Sequence, residues 1–371
     1  MPEKYHSGSP DHTWEDLMAA IGQDFGGPER VADEPIAKNR IGDFCEVLEF
    51  DCPLHHDEDV ARTMGYRGLL APSTSLFLMG QVRQWKPGDP TRFPTTDPDT
   101  FSRAARGYTF REPPMPGTVA YFVTGIETEY FAPMVVGDRL TARGRKLVSA
   151  TLRDTSAGSG AFVTMEESFY NQSKELVAQL RTTGYHFNPW PSEGKKEASK
   201  QSSAQTEADK PYMQTTGLME LTKPDWSVQR YFEDVHEGDS IPPVPLNLTF
   251  QRLIEWAIAL RMPQPPHSNP RYARHYAAPD IYANNVTVQT WWERAAREYI
   301  GLRGTIKRIG PFRIRTFAIP GDQIVTKGTV KRKWQEDGQN LVELEVMTEH
   351  VRAGIAVGPG PVVVTLPSRK K

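Results

Sequence analysis

Apolar and polar positions fall into two series that run in the same order. Residues 249–260 carry Phe250, Leu253, Ile254 and Ala257 at helical spacing, which predicts a short helix, and 39–48 is its counterpart in the first half. A polar, proline-containing loop follows each. Next comes a longer helix behind a polar cap: Ser73 or Thr74 leads into Leu76, Phe77, Leu78 and Met79, and Asn284 or Asn285 leads into 286–300. Stretches rich in β-branched residues then alternate with turn residues. They predict strands at 119–127, 139–148, 161–170 and 175–187 in the first half, and at 307–317, 323–333, 341–351 and 360–366 in the second. A helix followed by a run of antiparallel strands, twice over, is an α+β arrangement in which each sheet covers its helix.

The polar loops repeat as well. Pro53-Leu54-His55-His56-Asp57 through Ala61-Arg62 and Pro265-Pro266-His267-Ser268-Asn269 through Ala273-Arg274 both fit Pro-x-His-x-[Asp/Asn]-x-x-x-Ala-Arg. Gly137-Asp138 and Gly321-Asp322 each open a Gly-Asp-x-aliphatic-x-x-[Arg/Lys]-Gly segment further on. Two matches in register predict a duplicated domain. The units are placed at 13–190 and 222–367, with a flexible linker over 191–221, because 192–210 holds no aromatic or large aliphatic residue. The first copy is longer: His55 to Gly137 spans 82 positions and His267 to Gly321 spans 54. The excess falls at 87–117, either a lid or partner-binding loop or an inert surface excursion.

The 371 residues fit two or three domains. With 44 basic and 46 acidic side chains there is no electrostatic case for a nucleic-acid partner. No apolar run reaches the length of a membrane span, and the first dozen residues lack the apolar core of a signal peptide. Cys45 and Cys52 alone cannot build a disulfide framework or a zinc site, and the adjacent His55, His56 and Asp57 cannot converge on one ion, so no metal is expected. A cytoplasmic protein is expected. The Gly-Asp pairs are expected to form turns entering strands. The basic clusters 143–146 and 331–333 read as solvent-facing strand residues rather than a phosphate site. Of Trp291 and Trp292, one is expected in the core and the other along a tunnel or interface.

The segments 39–46, 52–57 and 69–74, with 130–133, Gly137-Asp138 and 166–176, resemble the N-terminal half of MaoC-like dehydratases of the fatty-acid-synthase type. More weakly, Pro265-Pro266-His267, Ala273-Arg274 and Pro320-Gly321-Asp322 resemble the companion MaoC-like domain. The resemblance implies a double hotdog, two long helices each wrapped by an antiparallel sheet. It implies hydration of trans-2-enoyl thioesters or dehydration of 3-hydroxyacyl thioesters, usually on coenzyme A and without a cofactor of the protein's own. It also implies assembly as a homodimer or with another MaoC-like subunit.

Such chemistry needs a base for water, an acid for Cα, and donors for the developing enolate. By resemblance His55 and His267 match the family histidine, and the central-helix entries fall at Ser73 and at Asn284 and Asn285, which would meet the thioester. The family carboxylate lies five residues before the histidine, where this chain has Phe50 and Met262. Asp51 stands one position off and is the candidate replacement, with Asp57 and Asp280 as others. Two readings stay open: a hydro-lyase, or a non-catalytic acyl-CoA-binding subunit whose partner supplies the missing group. The rigid Pro265-Pro266-His267 loop and the paired asparagines place the site in the second copy.

Overall fold

A computed structural model describes residues 7–93, 95–96, 111–190, 217–262, 264–275, 278–351 and 353–370. Most of the expected linker and part of the 87–117 insertion lie outside the described residues. Residues 217–221, expected as linker, are tied down: Met219 exchanges backbone hydrogen bonds with the side-chain amide of Asn247 at 3.0 and 2.8 Å.

Ten strands form one antiparallel sheet: β1 (Arg30–Val31), β2 (Ala120–Tyr130), β3 (Thr141–Thr155), β4 (Gly158–Tyr170), β5 (Leu176–Pro189), β6 (Ser240–Asn247), β7 (Thr305–Ile309), β8 (Gln323–Glu336), β9 (Gln339–His350) and β10 (Gly354–Thr365). Their order across the sheet is β1-β3-β4-β5-β2-β7-β10-β9-β8-β6. Read from the middle outward the two halves match strand for strand, β2 with β7 through to β1 with β6. The sheet therefore has a pseudo-twofold axis at the β2–β7 seam, where Thr128 pairs with Ile309 and Glu129 with Arg308. Chain reversal into β3 and β8 falls at Gly137 (φ 92°) and Gly321 (φ 87°), a left-handed backbone that excludes most side chains. Asp138 and Asp322 close these turns by accepting the amides of Val135 and Ile319 at 3.0 and 2.9 Å.

The helices that matter to the site are α1 (Trp14–Ala19), α2 (Lys38–Leu48), α3 (Glu58–Thr63), α4 (Leu76–Met79), α5 (Phe250–Ala259), α6 (Pro265–Ser268), α7 (Pro270–His275) and α8 (Asn285–Ile300). The two copies differ here. In the second, α8 runs for 16 residues and buries 14 of them. In the first, the expected long helix is the single turn α4, ended by Gly80, so one long central helix serves both halves. That explains a second difference from expectation: Trp291 and Trp292 are both fully buried. Apolar burial around a helix covered on all sides leaves no wet face for either ring. Trp292 packs on Phe312 and donates its indole N–H to Thr348 at 3.1 Å.

Candidate functional site

Both histidine loops are built alike. His55 ends a one-turn helix of 53–55, and its Nδ1–H donates to the Leu70 carbonyl at 2.8 Å. His267 sits in α6, and its Nδ1–H donates to the Tyr282 carbonyl at 2.7 Å. Each acceptor lies fifteen residues beyond its histidine. The repeat legible in the sequence therefore places the two imidazoles at equivalent points, in the tautomer that leaves Nε2 able to accept a proton.

Their surroundings diverge. His55 is fully buried against Phe50, ring centroids 5.1 Å apart, and its Nε2 meets no hydrogen-bond partner among the described residues. Burial pushes its pKa down to about 3, with Arg297 and His56 adding to the effect. His267 is half-buried, edge-on to the Tyr282 ring at 4.7 Å, and burial lowers its pKa too. Both rings are thus held neutral near pH 7, the state a general base requires.

The helix entries differ more. In the first copy the amides of Ser73 and Thr74 donate to the two carboxylate oxygens of Glu293 at 2.6 and 2.8 Å, and the Thr74 hydroxyl donates to it as well. Glu293 is buried and comes from α8 of the other half. A carboxylate on helix-start amides has a favourable electrostatic setting. It also stands where the resemblance expects the thioester oxygen, so the Ser73 amide is already taken. In the second copy Asn284 caps α8, accepting from the Thr287 amide at 2.9 Å and from its hydroxyl at 3.0 Å. No acceptor meets the amides of Asn285 or Val286 among the described residues. The Asn285 side-chain oxygen is buried without a hydrogen-bond partner among the described residues. Asn284 is thus first a cap, and the donors at this entry are backbone groups.

Asp51 does not join His55. It is exposed and accepts the Trp226 indole N–H at 3.1 Å. The αL turn that ends α2 at Glu49 and the bond from Phe50 back to Cys45 set this register. Asp57 caps α3 through the amides of Asp59 and Val60. Asp280 accepts the Ile281 amide at 2.7 Å and pairs with Arg274 at 3.4 Å. An open groove of about 600 Å³ lies between α2 and the 53–57 loop, but Glu46, Glu49, Asp51 and Asp57 line it and His55 does not. Its acidic rim disfavours a phosphorylated carrier. The basic clusters are paired along the sheet, Lys331 with Glu345, Arg332 with Glu343 and Arg143 with Glu29. No group of residues suited to a metal occurs among the described residues. No helix among the described residues is long and apolar enough to cross a membrane. Glu293 was absent from the candidates because its partners lie some 220 residues away, beyond any local signal.

Residues 19–180 match the FAS1-like dehydratase domain region. A protein of Thermomonospora curvata described as a probable enoyl-CoA hydratase alpha subunit is 24% identical over 180 residues. That match covers 47% of this chain and 51% of the relative, so the chain spans about half the length of that curated protein. Among solved structures, a MaoC-like dehydratase is 18% identical with a TM-score of 0.62, covering 95% of this chain and 100% of its own. A conserved hypothetical protein of Mycobacterium tuberculosis with a double hotdog fold is 10% identical with a TM-score of 0.54, covering 93% of this chain and 96% of its own. The palindromic sheet and these matches define a double hotdog protein. Within that class, residues 19–180 match a dehydratase-region model and the fold as a whole is the one seen in a MaoC-like dehydratase.

Proposed function

We propose that the chain is a hydro-lyase that interconverts trans-2-enoyl and 3-hydroxyacyl thioesters, on coenzyme A, at a site in the second copy formed by His267 and the start of α8. The observation that carries this reading is the contrast at the helix entries: Glu293 fills the amides of Ser73 and Thr74, while nothing described fills those of Asn285 and Val286. The neutral imidazole, steadied at Nδ1 by Tyr282, takes a proton from the water that adds at Cβ and delivers it at Cα. The open amides of α8 take the charge of the thioester oxygen as the enolate forms. The test is hydration of a panel of enoyl thioesters by the purified chain, followed by loss of the conjugated enoyl absorbance. His267→Ala should cut turnover by roughly 10²-fold or more, and His55→Ala should leave most of it. The reverse pattern overturns the assignment.

One observation favours a second reading. His55 hydrogen-bonds to no carboxylate, His267 bonds to the Tyr282 carbonyl, and Asp280 is engaged by Arg274. A chain of this kind fits an acyl-thioester-binding subunit whose partner supplies the acid/base pair, in keeping with a relative named as an alpha subunit. Turnover that appears only on adding a second MaoC-like protein would select it.

A further inference from the structure

The pseudo-twofold axis relates four charged positions, and at one pair the symmetry of charge is broken. Glu49 and Arg261 each follow a helix, α2 and α5, in the left-handed conformation, at φ 51° and 52°. Their amides return to Glu46 and Ile258 at 2.9 and 2.8 Å, and the next residues, Phe50 and Met262, return to Cys45 and Ala257 at 3.0 and 2.8 Å. Each lies six residues before its histidine, and nine residues before each, on the helix, stands an arginine: Arg40 before Glu49 and Arg252 before Arg261. The axis therefore exchanges Arg252–Glu49 with Arg40–Arg261.

The first pair is an ion pair between the halves, reinforced by a bond of 2.6 Å from Arg252 to the Val47 carbonyl. At the equivalent place the carboxylate is replaced by a guanidinium. Arg40 and Arg261, both half-buried, border a cavity of about 80 Å³ together with Arg83, Asp33, Glu34 and Gln81. The two acids there are already engaged: Arg83 pairs with Glu34 at 2.5 Å, and its backbone N–H donates to Asp33. Arg40 and Arg261 thus have no acidic partner among the described residues. Burial and the facing charges of Arg40, Arg92 and Arg83 lower the pKa of Arg261, and Asp33 opposes them only in part. A charge held partly out of water, beside others of its own sign, favours an anionic partner.

We propose that this inter-half cleft is an anion site, in which Arg40 and Arg261 hold a phosphate group where the symmetry-related position holds the Glu49 carboxylate. The geometry suits it. Guanidinium forks match phosphate oxygens, and the cleft has room for a tetrahedral oxyanion between the two side chains. Whether the phosphate belongs to coenzyme A or is free in solution is a matter of source, and one experiment separates the two.

The full chain is titrated with inorganic phosphate in a phosphate-free amine buffer, by calorimetry and by thermal midpoint. Phosphate should bind and raise the midpoint. Arg261→Glu rebuilds the ion pair seen at Arg252–Glu49. It should raise the midpoint in the absence of phosphate and abolish the phosphate effect. Arg40→Gln, which keeps most of the side-chain volume, should weaken phosphate by about tenfold or more and gives the answer should the glutamate variant fail to fold. Coenzyme A and its 3′-dephospho form are titrated alongside. Tighter binding of coenzyme A that is lost with the 3′-phosphate assigns the site to the carrier, and equal binding of the two assigns it to free phosphate. Phosphate that fails to bind the unmodified chain, or that binds both variants as tightly as the parent, overturns the proposal. Because binding is read and not turnover, the result stands apart from the reaction proposed above.

Discussion

Two residues with the same sequence signature end in opposite circumstances because of what packs on them. His55 and His267 were both legible from the repeated Pro-x-His loop, and both do lie on equivalent loops with equivalent carbonyl partners. What the loop could not reveal is that Phe50 and the core close over His55. Its pKa of about 3 has a consequence for stability. An unfolded chain takes up a proton at this histidine as pH falls below about 6.5, whereas the folded chain refuses it until about 3. Stability is therefore full above the unfolded value and is lost progressively between the two. In urea titrations at a series of pH values, the free-energy advantage of the parent over His55→Gln should shrink as pH falls through that window; an advantage constant with pH would contradict it. Glu293 is the other decisive residue. Its replacement by alanine strands the amides of Ser73 and Thr74 and the Thr74 hydroxyl in a buried place, so a loss of about 3–5 kcal/mol is expected by equilibrium unfolding. A loss below about 1 kcal/mol would mean that water replaces it at no cost.

At the scale of elements, the strands were the legible part because period-two alternation with β-branched residues is a local signal. Seven of the eight expected strands fall close to β2–β5 and β8–β10, and the eighth shrinks to β7. The outermost strands were not read. β1 has two residues, and β6 carries Pro242, Pro243 and Pro245, which belong on an edge where no ladder donor is needed. Helix α8 was legible from its asparagine cap and its length. Its expected twin was not real: only four apolar residues follow Ser73 before Gly80, and propagation beyond one turn then rests on tertiary packing. Duplicated folds invite the assumption that both copies keep every element. Here the first copy has a single turn where the second has a helix long enough to pack against both, and Glu293 on that helix caps the short entry across the boundary.

At the scale of the whole molecule, the order of the sheet explains why the two units need each other. The seam joins β2 to β7, Arg252 of one half pairs with Glu49 of the other, Arg294 of α8 donates to the Leu48 carbonyl, and Gln81 reaches the Leu260 carbonyl at 2.8 Å. One core runs through both halves, from Ile41 and Phe44 to Trp256 and Trp292. Burial on that scale is worth far more than the loop-closure entropy that a covalent connection removes, since each doubling of a loop changes the latter by only about 0.6 kcal/mol. The folded pair should therefore hold without the peptide between the units. A single proteolytic cut between 192 and 210 should leave one species of unchanged size on native gel filtration, and two fragments only in denaturant. Fragments that part under native conditions would show that the connection, and not the seam, holds the pair together. They would also remove the basis for reading the amides of copy one as permanently filled by a carboxylate of copy two.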